Sequence, residues 1–241
     1  MISKSRFHGR IWAKLARESA ALLKPGDRVL AAVSGGPDSV CLAHLVKKLA
    51  ERRPMGLRLV HFDHGLRAGS KRDALFVRSL GRRLGVPVTV ERLPVRAAAR
   101  REGRTLEEAG RRLRYLALAR LARRARCNKV ATGHQLDDQA EQLLLHLLRG
   151  ASLKGLAGIP RRRPLAPGVE VVRPLLGLTR REVLDYLAYH RLRYRSDPTN
   201  RSTRFTRNWV RLRLLPLLES KNPQVRERLA ALAEEVATLA K

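Results

Sequence analysis

Arg28-Val29-Leu30-Ala31-Ala32-Val33-Ser34-Gly35-Gly36-Pro37-Asp38-Ser39 is the stretch that decides the fold. An apolar run hands over, through two glycines and a proline, to a helical pattern from Ser39 to Ala50. Two glycines let the backbone curl with its N–H groups inward, and the following helix N-terminus adds partial positive charge; together they bind phosphate. The plainer alternative is a glycine turn in which Ser34 or Asp38 caps a helix. The full six-residue string directly after an apolar strand favours phosphate. The loop has no GxxxxGK[ST] pattern and no lysine, so it is not the common P-loop.

Outward from this loop the same alternation repeats. Strands are expected at Leu57–Phe62, Val86–Leu93 and Lys129–Thr132, and helices at Ser70–Leu84, Leu106–Arg126 and Leu136–Leu148. An amphipathic helix, Ile11–Leu23, precedes the first strand and closes at Pro25-Gly26-Asp27. Strands alternating with helices of this length predict an α/β fold, a doubly wound parallel sheet covered on both faces. Ligands on such sheets bind outside the carboxyl ends of the strands. From Gly150 the texture changes to a loop-rich, basic connector containing Arg161-Arg162-Arg163. A strand at Val169–Val172, helices near Thr179–His190 and Thr203–Leu215, and a last amphipathic helix from about Asn222 complete the reading. Residues 1–216 are read as one catalytic domain and 217–241 as a short helical C-terminal extension.

Composition narrows the partners. The 241 residues carry 51 Lys+Arg against 21 Asp+Glu, a net charge of +30, and nucleic acid is the usual partner of such an excess. Between Arg96 and Arg126 there are eleven arginines and three acids. Only Cys41 and Cys127 are present, without a CxxC pair, which excludes a disulfide framework and a four-cysteine metal site and suits a reducing cytosol. No apolar run approaches a membrane span and no signal peptide is recognisable, so a cytoplasmic location without a membrane partner is expected.

Five strings, in order, carry a resemblance: Ser34–Ser39; His61-Phe62-Asp63-His64-Gly65-Leu66-Arg67; Glu107-Glu108-Ala109-Gly110-Arg111-Arg112-Leu113-Arg114-Tyr115; Gly133-His134-Gln135-Leu136-Asp137-Asp138-Gln139-Ala140-Glu141; and Asp197-Pro198-Thr199-Asn200 leading to Arg207-Asn208. The first is similar to the signature of the N-type ATP pyrophosphatases (PP-loop superfamily), and the set resembles the tRNA(Ile)-lysidine synthase family over roughly Val29 to Pro216. The resemblance implies ATP and Mg²⁺, L-lysine, and an isoleucine tRNA with a CAU anticodon, with a homodimer left open. It implies adenylation of C2 of the wobble cytidine (position 34), then displacement of AMP by the ε-amine of lysine, giving lysidine, AMP and pyrophosphate. The chain departs from the family pattern at Gln135, Gln142 and Ser202, where a histidine, a threonine and an acidic residue are usual. It also stops near 241, where members usually continue into tRNA-recognition domains.

On that resemblance, Ser34, Gly35, Gly36, Pro37, Asp38, Ser39, His61 and Asp63 are expected at the nucleotide, with Asp38 as the Mg²⁺ ligand. Spacing puts Asp138 and Glu141 on one helix face with His134 nearby. His134, Asp137, Asp138 and Glu141 are expected to bind lysine, and Arg111, Arg112 and Arg114 to meet RNA. Asp38, Asp138, Glu141 and Arg207 form the catalytic set. Arg207 and Arg211, one helical turn apart, reach either the α-phosphate or the RNA; both targets stay open. A tRNA thiolase of the same superfamily would need paired cysteines. A non-catalytic RNA binder would have no need of the carboxylates.

Overall fold

A computed structural model describes residues 4–66, 69–196, 203 and 205–240, with only the backbone of 4–8. Strands β1 (Arg28–Ala32), β2 (Gly56–Asp63), β3 (Val88–Arg92), β4 (Lys129–Ala131), β5 (Arg162–Ala166) and β6 (Val169–Val172) form one sheet in the order β3-β2-β1-β4-β6-β5. All pairings are parallel except β5 with β6, which is antiparallel. The chain winds outward from β1 to β3, then returns to place β4 on the other side of β1. The strand order therefore reverses between β1 and β4, and a crevice opens there at the carboxyl ends.

The helices are α1 (Lys4–Ala20), α2 (Pro37–Arg52), α3 (Ser70–Leu84), α4 (Val95–Glu102), α5 (Leu106–Arg124), α6 (Leu136–Leu148), α7 (Leu153–Leu156) and α8 (Arg180–Tyr189). Beyond them, α9 (Thr206–Trp209) runs through a π-helical turn (Val210–Leu214) into α10 (Leu215–Lys221), and α11 (Val225–Leu239) follows. The two-residue period of the strands divides the core. Val29, Ala31, Leu59, Ala131 and Val172 join α1, α2, α3 and α8 on one face. Leu30, Val60, Val130 and Val171 join α4 and α5 on the other. A third cluster, with Leu144, Leu145, Val210 and Leu215, fixes α6 to the C-terminal helices.

The expected doubly wound sheet is present, and Ser70–Leu84, Leu136–Leu148 and Val169–Val172 have the expected bounds. Several elements differ from the sequence reading, among them the short helix α7 in the stretch read as connector and the π-helical turn that carries the expected Thr203–Leu215 helix on to Lys221. Val95–Glu102, read as part of the chain between a strand and the long helix, is a helix whose Val95, Ala98 and Ala99 enter the core. Arg162–Ala166, read as connector, is the edge strand β5. Its arginines and Pro164 make a poor strand by propensity, but proline and charge are tolerated on an edge, and pairing with β6 supplies the ladder.

Candidate functional site

The crevice between β1 and β4 holds a cavity of about 230 Å³. Ser34, Gly36, Asp38 and Ser39 line it from the β1 end, Phe62 and His64 from β2, Thr132, Gly133 and His134 from β4, and Arg111, Arg114 and Tyr115 from α5. Strings separated by up to a hundred residues in sequence thus share one wall.

The loop after β1 is built around Ser39. Its Oγ accepts from the amides of Ser34 at 3.2 Å and Gly35 at 3.1 Å, and donates to the Gly36 carbonyl at 2.9 Å. Gly35 has φ +94°, a conformation in which a side chain is strained. Pro37 opens α2, where a missing N–H costs nothing. His61 does not line the cavity. It is buried and its Nδ1 lies 2.8 Å from the Val33 carbonyl, so it supports the end of the strand that carries the loop. Asp63 is likewise turned to local structure, accepting from the Gly65 amide at 2.8 Å.

Asp38 faces the cavity with a half-buried carboxylate, and Arg180 of α8 holds it, with Nη1 3.1 Å from Oδ2 and 3.4 Å from Oδ1. Burial pushes this carboxyl up to about 6, opposed most strongly by Arg180. Gly133 brings the β4 loop against α2: a Cβ there would lie 3.1 Å from the Asp38 backbone. His134 Nδ1 is 3.0 Å from Thr132 Oγ1. Burial, then Arg173, Arg207, Arg111 and Arg114, lower its pKa to about 3, so the imidazole is neutral.

On α6 the two expected carboxylates share a face, because a single guanidinium spans them. Arg207 donates from Nε to Glu141 at 2.9 Å and from Nη2 to Asp138 at 3.0 Å. Arg211, on the π-helical turn, donates to both oxygens of Glu141 at 2.5 and 2.9 Å. Both arginines therefore turn to the carboxylates. Asp137 points the other way: it accepts from the Arg180 amide at 3.1 Å and from Arg226 of α11 at 3.3 Å. Gln135, the departure from the family pattern, is buried and caps α6 through a capping box with Asp138. Gln142 bonds His146.

On α5, Arg111 and Arg114 reach the cavity, whereas Arg112 pairs with Glu102 at 2.6 Å on the exposed side of the helix. Arg111 and Arg163 both sit over the Tyr115 ring, at 5.4 and 4.4 Å from its centroid. Arg67 and the Asp197–Asn200 string lie outside the described residues. Sequence reasoning missed Arg180, the buried Arg173 and the stacking of Arg163. Arg173 follows β6 at the start of a loop and Arg180 opens α8 at its end, neither with a local pattern that marks a role, and Arg163 lies in the stretch read as connector.

A family model for the PP-loop domain matches residues 10–218. Among curated proteins, the tRNA(Ile)-lysidine synthase of Symbiobacterium thermophilum is 46% identical over 201 residues, covering 83% of this chain and 41% of that protein. That of Gloeobacter violaceus is 43% identical over 215 residues, covering 89% of this chain and 64% of that protein. The chain thus spans about two fifths to two thirds of the length of these relatives. In fold it resembles the U34-tRNA thiolase NcsA from Methanococcus maripaludis, with a TM-score of 0.81 at 19% identity over 96% of this chain and 80% of that one. It also resembles the NH3-dependent NAD synthetase of Campylobacter jejuni, with a TM-score of 0.53 at 15% identity over 100% and 97% of the two chains. Among the described residues no helix is long and apolar enough to cross a membrane. With a glycine loop at the reversal of its strand order and a family model spanning most of its length, the chain belongs to the PP-loop family.

Proposed function

We propose that this chain cleaves ATP to AMP and pyrophosphate to activate the wobble cytidine (position 34) of an isoleucine tRNA with a CAU anticodon, and that L-lysine then displaces AMP to give lysidine. The observation that carries the reading is one crevice lined by the Ser34–Ser39 loop, the neutral His134 and the arginines of α5, with Asp138 and Glu141 on the helix that leads out of it. Residues 1–216 are the proposed catalytic unit and 217–241 its helical extension.

The Ser34–Ser39 loop, held in shape by Ser39 Oγ and leading into the N-terminus of α2, receives the pyrophosphate end of ATP. Asp38 fits Mg²⁺ by its chemistry: one carboxylate at the wall of a phosphate site, where the polyphosphate supplies further oxygens. When bound, the cation neutralises charge on the phosphates. The cytidine C2 carbonyl oxygen attacks the α-phosphorus and pyrophosphate leaves. The lysine ε-amine then attacks C2 and AMP leaves. Asp138 and Glu141 hold the ammonium and take up its proton, sharing their oxygens with Arg207 and Arg211. Arg207, beside both carboxylates, meets charge developing on the α-phosphate. Arg111 and Arg114 meet RNA phosphate at the cavity. A thiolase reading needs paired cysteines, and Cys41 and Cys127 are buried in different core clusters.

The test is incubation of the chain with ATP, lysine and a CAU-anticodon tRNA, followed by nucleoside and nucleotide analysis. Lysidine, AMP and pyrophosphate are expected. ADP with orthophosphate, or a sulfur-containing base when a sulfur donor is supplied, would refute the reading.

A further inference from the structure

Arg180 is the first residue of α8 and stands 142 residues from Asp38 in sequence, yet its guanidinium is the group that Asp38 holds. Its backbone is fixed at the same time. The Arg180 amide donates to Asp137, the Leu136 amide donates to the Leu178 carbonyl at 2.7 Å, and Thr179 caps α8 through a capping box with Glu182. Asp137 in turn is held by Arg226. The backbone that carries Arg180 is therefore clamped to the first turn of α6, while its long side chain crosses to the phosphate loop.

That arrangement has a chemical consequence. An arginine fork matches carboxylate and phosphate equally well. The fork lies within about one hydrogen-bond length of the Asp38 oxygens, so any polyphosphate bridged to Asp38 by a cation enters its reach. Among the described residues Asp38 is the one carboxylate that Arg180 pairs with by its side chain, so the exchange breaks a single ion pair. Its side chain is 40% exposed, which leaves it free to swing toward an incoming anion.

Resting on the ATP-dependent reading above, we infer that Arg180 is a polyphosphate-binding residue: it neutralises Asp38 in the free protein and transfers to the β- and γ-phosphates when a divalent cation takes Asp38. No covalent step is involved. Arg180 serves the pyrophosphate end near the loop, not the α-phosphate or the adenosine.

The experiment measures Mg²⁺-dependent binding of ATP, pyrophosphate and AMP to the full chain by calorimetry, for the wild type, Arg180→Met and Arg180→Lys. Loss of a charge-assisted contact predicts that Arg180→Met weakens ATP and pyrophosphate by about tenfold or more. AMP binding should stay within about twofold, on the same ground that AMP lacks the phosphates concerned. Arg180→Lys should fall between, keeping charge and losing the fork. If ATP, pyrophosphate and AMP weaken together, Arg180 merely shapes the site and the inference fails; unchanged ATP and pyrophosphate affinity also overturns it. Should Arg180→Met not fold, Arg180→Lys carries the same comparison. A wild-type chain that binds ATP with these variant effects but makes no lysidine would leave Arg180 assigned and remove the lysidine reading. A wild type that binds neither ATP nor pyrophosphate removes both.

Discussion

Glu141→Gln perturbs the most heavily bonded carboxylate of the site. Glu141 is 1% exposed and accepts three guanidinium hydrogen bonds, one from Arg207 and two from Arg211. Breaking a buried charge pair by removing one partner costs about 3–5 kcal/mol when the remaining charge is stranded. Here the stranding is partial. The arginine side chains are 30% and 31% exposed, and Asp138 still holds Arg207 at 3.0 Å and Arg211 at 3.5 Å. The glutamine also keeps one carbonyl acceptor. A loss of about 2–3 kcal/mol follows, which for a chain of this size lowers Tm by roughly 4–12 °C. Asp138→Asn removes fewer and longer contacts and should lose about 1 kcal/mol. Urea unfolding of the three proteins, read by circular dichroism, measures both. A Glu141→Gln loss below about 0.5 kcal/mol, the range of ordinary surface changes, would refute the claim that this ion cluster anchors the π-helical turn to α6. If the carboxylates also hold the lysine ammonium, the same variant should raise the KM for lysine far more than the KM for ATP.

Three further outcomes are expected. Gly35→Ala meets both a positive φ and the Phe76 ring 3.3 Å from the new Cβ, so it should lose roughly 1–2 kcal/mol of stability and most ATP binding, measured by melting and titration. His44 is buried against Tyr186 and His190, with Lys48 and Glu51 on its own helix, and burial lowers its pKa to about 4. The unfolded chain therefore binds the proton first: stability is full above about pH 6.5, falls as pH drops toward 4 and levels below, by up to roughly 3 kcal/mol. His134 acts in the same direction. His44→Gln should flatten part of that slope in urea unfolding across pH, and an unchanged slope would show that folding does not lower the pKa of His44. RNA affinity should fall steeply with salt, and replacing Arg111 and Arg114 by alanine should reduce the log–log slope by about 1–2; a shallow wild-type slope would mean that contacts other than phosphate dominate.

Much of this molecule is written locally. The apolar β1 followed by Ser34–Ser39 needs only near neighbours to form a strand, a curled loop and a helix start. Helices α3 and α6 have bounds readable from residue type, since Gly85 ends the first in a left-handed conformation and the Gln135–Asp138 capping box starts the second. Period-two alternation in Val29, Leu30 and Ala31 assigns them to the two sheet faces. The spacing of Asp138 and Glu141 likewise puts them on one side of α6. What those carboxylates touch was decided elsewhere. Arg207 and Arg211 arrive from 66 to 70 residues away, and Arg180 reaches Asp38 from 142, distances over which sequence carries no pairing signal. The same holds for β5, whose arginines and proline argue against a strand until β6 offers its edge, and for His61, whose Nδ1 lies 2.8 Å from the Val33 carbonyl, 28 residues away in sequence. Local order follows from short-range propensity and capping; the partners of a buried charge are set by whichever distant group the packed sheet and helices bring within hydrogen-bond range.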